Sequence, residues 1–274
     1  MNNQNRLSTL LTQHQEKKAQ NPKLEPLLTL FITAGYPEKE TFHDLIRSLD
    51  LAGADILEIG MPFSDPLADG PVIQMSSQKA LESGVDLEWI FDSIQELRKS
   101  TQIPILLMGY FNPVLSYGVE NFFVKAASAG IDGIILPDLP AEETKRIKPY
   151  ADKLGLKLIG FVTPTSTEER IRLIDQAVDG FIYTVLVTGV TGGTSLKDSI
   201  DEIQNFLKKV RQNTTKNPIM AGFGIRSGQD VLPVKEWVDG YIVGSELIRK
   251  IEQAYPDINW IEQVQEFVKA FKIK

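Results

Sequence analysis

Glu58 is a carboxylate set in an apolar run, Asp55-Ile-Leu-Glu-Ile-Gly60. Side chains alternate along a strand, so Glu58 faces away from Leu57 and Ile59 and toward the interior. An ionised carboxylate buried without a partner is costly. Its pKa should rise toward neutrality, where one group can both give and take a proton. The competing reading is a structural ion pair with an interior Lys or Arg. Just downstream, Met61-Pro-Phe-Ser-Asp-Pro-Leu-Ala-Asp-Gly-Pro71 makes a stiff, proline-braced loop carrying Asp65 and Asp69. Turn chemistry alone makes both aspartates turn formers or helix caps. Gly222-Phe-Gly224, and Gly244 followed by Ser245, offer a different chemistry. Without Cβ atoms, backbone amides can approach an anion, and a helix opening at Ser245 adds its dipole. Phe31, Thr33, Tyr110 and Tyr183 fall at or just past the ends of apolar runs. Each reads equally well as pocket wall or as core.

The elements that must position these residues repeat one pattern. Short apolar runs occur at Leu28–Thr33, Ile56–Gly60, Ile103–Met108, Gly133–Leu136, Leu156–Phe161, Gly180–Tyr183, Pro218–Ala221 and Tyr241–Val243. Amphipathic helical stretches separate them, including Thr41–Leu51, Leu87–Arg98, Glu142–Leu154, Glu168–Gln176 and Ile200–Arg211. Near-continuous apolar strands alternating with helices predict a parallel sheet covered by helices. Eight such units fit a closed α/β barrel, (β/α)₈, forming a single domain over 1–274, better than an open sheet. In that fold the C-terminal strand ends carry the site, which is where the residues above fall. A short echo supports the count: Ala-Gly-Ala-Asp55, Ile-Asp132-Gly, Val-Asp179-Gly and Val-Asp239-Gly each precede an even-numbered strand. Residues 1–24 form a helical extension whose Leu7, Leu10 and Leu11 predict a helix packed on the barrel's outside.

The 274 residues are 42% hydrophobic and 24% charged, ordinary for a globular protein with a large core. No stretch reaches the length of a membrane span, and the polar N-terminus lacks a signal peptide's apolar core, so a cytoplasmic protein is expected. With no cysteine and only His14 and His43, thiolate chemistry is excluded, and multi-histidine metal centres and histidine-based triads are disfavoured. The net charge of −7 speaks against a nucleic-acid surface. An anionic substrate must then be held by local dipoles.

The run Glu58–Gln74, EIGMPFSDPLADGPVIQ, resembles the signature of the tryptophan synthase alpha subunit family. The likeness runs from Phe31-Ile-Thr-Ala-Gly35 to Val243-Gly-Ser245, through Met108-Gly-Tyr-Phe-Asn-Pro113, Leu136-Pro-Asp-Leu-Pro140, Thr188-Gly-Val-Thr-Gly192 and Gly222-Phe-Gly-Ile225. The resemblance implies a lyase that splits indole-3-glycerol phosphate into indole and glyceraldehyde 3-phosphate. It makes Glu58 the catalytic acid/base, Asp69 the second carboxylate and Tyr183 an active-site tyrosine. It adds Gly192 to the phosphate glycines, and Thr191, Phe31 and Tyr110 to the substrate pocket. Pro62 and Asp65 would face a beta subunit in an α₂β₂ complex. Pyridoxal phosphate would belong to that partner, with no cofactor in this chain.

Three departures from the family pattern stand out. Leu186-Val187 replaces a Ser-Arg pair, Gly193 stands where alanine is common, and Tyr36 replaces an acidic residue. They leave the proton-transfer groups intact and bear on loop closure and partner dependence. The alternatives are a stand-alone indole-releasing lyase, a non-catalytic activator of the beta subunit, and another phosphate-binding barrel such as an isomerase.

Overall fold

The computed structural model describes residues 5–185, 200–222 and 224–272. Helix α1 (Arg6–Gln20) comes first, capped by the Asn5 side-chain oxygen, which accepts from Ser8 N–H at 3.0 Å. Strand β1 (Leu27–Thr33) leads through α2 (Phe42–Leu51) to β2 (Ile56–Gly60). Two helices, α3 (Pro71–Glu82) and α4 (Leu87–Leu97), precede β3 (Ile105–Met108). Two more, α5 (Phe111–Tyr117) and α6 (Val119–Ala129), precede β4 (Gly133–Ile135). Helix α7 (Ala141–Leu154) leads to the short β5 (Lys157–Leu158) and β6 (Gly160–Val162), and α8 (Glu168–Ala177) to β7 (Ile182–Val185). Then come α9 (Ile200–Asn213), β8 (Ile219–Gly222), β9 (Gly240–Val243), α10 (Ser245–Ala254) and α11 (Trp260–Phe271).

The strands pair in the order β5-β4-β3-β2-β1-β9-β8-β7-β6, all parallel. The two ends of that order are neighbours in sequence, joined only by Ile159. The sheet therefore curls into a barrel of eight strand positions, as the eight-unit pattern predicts. The segment expected as one strand, Leu156–Phe161, is two in its pairing: β5 bonds β4, and β6 bonds β7. Pro137, just past β4, has no N–H to extend that ladder. On the outer side α8 packs tightly, and a Cβ at Gly160 would lie 2.5 Å from Ile174.

Alternation divides the strands cleanly. Leu28, Leu30, Ile32, Leu57 and Ile59 point outward and pack with the helices. Inward, Leu27, Ile56, Leu106, Ile135, Ile159, Phe181, Met220 and Ile242 form a second cluster, one side chain from each strand position. Leu7 and Leu11 of α1 belong to this inner cluster. Helix α1 therefore closes the N-terminal end of the barrel and does not lie on its outside, which corrects the sequence expectation. Its apolar stripe meets the end of the inner apolar cluster. Arg6 pairs with Asp132 at 3.2 Å and Lys18 with Asp239 at 2.8 Å, fixing it across the opening.

The four-fold echo acquires a physical role here. Asp55 accepts from Leu28 N–H at 2.7 Å, Asp132 from Ile105 at 3.0 Å, Asp179 from Leu158 at 3.1 Å and Asp239 from Ile219 at 2.8 Å. In each case the aspartate's own N–H returns a bond to the carbonyl of the same partner residue. The turns before β2, β4, β7 and β9 thus clamp β1, β3, β5 and β8 respectively. Every clamp carboxylate also meets a cation, as Asp132 meets Arg98 at 2.7 Å and Asp239 meets Arg211 at 2.7 Å. These ties fix one end of the barrel and leave the opposite end free for chemistry.

Candidate active site

Glu58 lies at the middle of β2 and faces inward, level with Phe31 on one side and Leu106 on the other. It is fully buried, and neither carboxylate oxygen has a hydrogen-bond partner among the described residues. The ion-pair alternative therefore finds no cation there. Burial alone pushes its pKa up to about 8, so the group is protonated at neutral pH.

Asp69 ends the proline-braced loop. Tyr110, immediately before α5, donates its hydroxyl to Asp69 Oδ2 at 3.1 Å and accepts from Ala68 N–H at 2.8 Å. The tyrosine thus pins the loop and aims the aspartate at once. Burial raises the Asp69 pKa, and the Tyr110 hydrogen bond pulls it the other way. Asp69 Oδ1 accepts no hydrogen bond among the described residues, which leaves one lone-pair face for a donor on a ligand. Burial, with the nearby Asp69 carboxylate, pushes the Tyr110 hydroxyl up to about 12, so it keeps its proton to donate. Phe63 stacks obliquely on Tyr110, with ring centres 5.2 Å apart.

Tyr183 points inward from β7. Burial, followed by the negative fields of Glu58 and Asp69, holds its hydroxyl well above its ordinary value. The tyrosine thus keeps its proton within the field of both carboxylates. Its ring stacks on Phe161 at 5.0 Å and leans on Gly222, where a Cβ would lie 2.5 Å from the ring. Gly222, expected only as a phosphate glycine, is also the space that Tyr183 occupies. Phe31 plays a similar spacing role: its ring fills the place of a Cβ on Gly60, 2.5 Å away, and its own Cβ lies 3.4 Å from one on Gly244.

The glycine loops gather at the strand ends opposite α1. Gly224 follows β8 in a left-handed conformation (φ +70°) that a side chain would strain. Gly244 precedes Ser245, the first residue of α10, and no side chain caps that helix. By contrast, the short helical turn at Gly228–Asp230 is filled, because Asp230 accepts from Arg226 and Ser227 N–H. The uncapped amides at the start of α10 can therefore receive an anion.

Thr33 lies less openly than expected. It is buried, and its hydroxyl is engaged at 2.6 Å with Ser76, which itself bonds the Ile73 carbonyl. It braces α3 against β1 in place of offering a free polar group. In the loop, Pro62 is half-buried and Asp65 exposed, with Ser64 hydroxyl donating to Asp65 at 2.5 Å. Thr191 and Gly192 lie outside the described residues, as do Leu186, Val187 and Gly193. Sequence reasoning missed Phe161, Met108 and Ile135, which face inward around the same space. Counting alternate positions from the inward Glu58 across neighbouring strands could have found them.

Comparison with known proteins gives one consistent result. A model of the tryptophan synthase alpha chain family matches residues 16–274. The tryptophan synthase alpha chain of Geotalea daltonii is 47% identical over 237 residues, covering 86% of this chain and 88% of that one. That of Thermoanaerobacter sp. (strain X514) is 43% identical, covering 89% and 92%. Among solved structures, tryptophan synthase subunit alpha from Legionella pneumophila superposes with a TM-score of 0.85 at 34% identity, covering 97% of both chains. A chain from the tryptophan synthase α₂β₂ complex of Pyrococcus furiosus gives 0.79 at 31% identity, covering 90% of this chain and 99% of that one.

Proposed function

Since this chain belongs to the tryptophan synthase alpha chain family, a lyase family that cleaves indole-3-glycerol phosphate, we propose that Glu58, Asp69 and Tyr183 carry out that cleavage. The observation that carries the reading is a fully buried, unpartnered Glu58 facing the same interior as an oriented Asp69.

Cleavage breaks the bond between indole C3 and the first carbon of the glycerol side chain. Glu58 starts as the acid and protonates C3, giving an indolenine with positive charge on nitrogen. The free lone pairs of Asp69 accept the indole N–H and stabilise that charge. The carboxylate left on Glu58 then takes the proton from the side-chain hydroxyl. The C–O bond becomes a carbonyl, the C3–carbon pair returns to the ring, and indole leaves with its aromaticity restored. Glu58 ends protonated as it began, so one group with a pKa near neutrality serves both transfers. Tyr183, held neutral, hydrogen-bonds to Glu58 in its ionised form and steadies it between the two steps. The phosphate rests on the amides of Gly222, Gly224, Gly244 and Ser245. Phe31 and Tyr110 flank the ring, and Thr33 supports the wall behind them.

The chain works as one barrel domain over 1–274 in the cytoplasm and passes indole to a beta subunit. The loop around Pro62 and Asp65 fits that contact: Leu67 within it is 96% exposed, an apolar side chain with no cover in the isolated chain. Pyridoxal phosphate acts in the partner, since acid–base chemistry suffices here. The test is indole release from indole-3-glycerol phosphate, with and without the beta subunit from the same source. Slow release that rises strongly with the partner is expected. Fast release indifferent to the partner would favour a stand-alone lyase, and no release in either case would reject the assignment.

A further inference from the structure

The barrel wall is incomplete on one side. Strand β4 stops at Ile135, and Pro137 offers no N–H beyond it. The last described bond across this seam is Ile159 N–H to Ile134 O at 3.3 Å, after which β6 pairs only with β7. A cavity of about 260 Å³ fills the resulting opening, walled by Pro137 on the β4 side and by Phe161 and Thr163 on the β6 side. Asp138, Ala141 of α7, and Arg170 and Ile174 of α8 line its outer part, which is open to solvent.

Phe161 is common to this cavity and to the reaction chamber. It is level with Tyr183 in the strand register and stacks on it, with ring planes 24° apart. Tyr183 in turn lies against Gly222 and leans on the Phe181 ring. Phe161 is half-buried because it borders open space. Phe161 both lines this cavity and packs on the inner cluster, with no polar group of its own to bind a ligand.

We propose that Phe161 is a specificity-determining residue for the aromatic end of the substrate, and that the seam cavity behind it receives substituents on the benzo ring once its side chain is shortened. The inference rests on the lyase reading. If Asp69 holds the indole nitrogen and Glu58 acts at C3, the ring edge remote from both must meet the inward hydrophobic wall, to which Phe161 belongs. A methyl group that collides with a fixed wall is discriminated against by about 10–200-fold, the range typical of one methylene in an apolar pocket.

The test compares wild type, Phe161→Leu and Phe161→Ala in the reverse condensation of glyceraldehyde 3-phosphate with indole or its four benzo-ring methyl derivatives. Dissociation constants of the same indoles, measured without turnover, are the second readout. For at least one methyl position, Phe161→Ala raises kcat/KM relative to indole by roughly tenfold or more, with Phe161→Leu between it and wild type. The ratio of dissociation constants moves the same way. Filling the cavity with Ala141→Phe in the Phe161→Ala background removes the gain. Losses running in parallel for indole and every methylindole would assign Phe161 a packing role only and overturn the proposal, as would a gain that survives Ala141→Phe. Wild type that condenses no indole would reject the lyase reading, and the binding ratios would then decide the role of Phe161 separately.

Discussion

Glu58 makes the stability of the protein depend on pH as well as its chemistry. Its carboxyl is raised from an ordinary 4.5 to about 8 in the folded chain by burial. In the unfolded chain it ionises in the ordinary range. Below pH 4.5 both states hold the proton, and Glu58 adds no charge-burial penalty. Between 4.5 and 8 only the unfolded state releases the proton, so stability falls as pH rises, and above 8 the loss is complete. Glu58→Gln has no proton to lose. The variant should therefore gain on wild type by on the order of a few kcal/mol between acid and mildly alkaline pH, read by urea unfolding at both pH values. A pH-independent difference between the two proteins would mean that Glu58 is already ionised, or solvated, in the fold. The inward position of Glu58 was legible from alternation along β2. That it has no counter-ion among the described residues was not, because an ion pair can be supplied from any other strand. Tyr110 shows the same limit: its bond to Asp69 spans 41 positions, and no local pattern announces it.

Between neighbouring elements, the four aspartate clamps differ in what stands behind them. Asp132 is buried and holds the buried guanidinium of Arg98, whose pKa burial lowers to about 10 although Asp132 opposes the shift. Asp55 is more open and pairs with the exposed Lys272 at 2.9 Å. Removing Asp132 strands a buried cation, at a cost of about 3–5 kcal/mol. Removing Asp55 forfeits chiefly a strand-end hydrogen bond, at about 1–3 kcal/mol. Asp132→Ala should thus lower the urea midpoint well below Asp55→Ala; equal losses would mean that the cations contribute nothing. The repeat itself was visible in the sequence, but as turns, since its partners lie 20 to 27 residues upstream. The eight strand positions and the closed barrel were legible from period and length. The break at Ile159 was not, because it arises from which neighbour each half meets.

For the molecule as a whole, the barrel is closed at one end and chemically equipped at the other. Helix α1 supplies the closure through Leu7 and Leu11. Its amphipathic stripe was legible, but the surface that receives it was not, since a stripe does not say what it faces. Leu7 is completely buried against the inner ring, so Leu7→Ala should cost about 2–5 kcal/mol by urea unfolding. A helix resting on the outside would lose much less. In the proposed site a phosphate ester would meet the uncapped amides of α10, so a chain of net charge −7 needs no general positive field to hold it. The proton transfers depend on the chamber above that floor, and their test is direct: indole release from indole-3-glycerol phosphate by wild type and Glu58→Gln, at equal folded concentration. Glutamine keeps the shape and cannot exchange the proton, so release should fall by about 10²–10⁴-fold. Release within a few-fold of wild type would contradict Glu58 as the group that moves the protons.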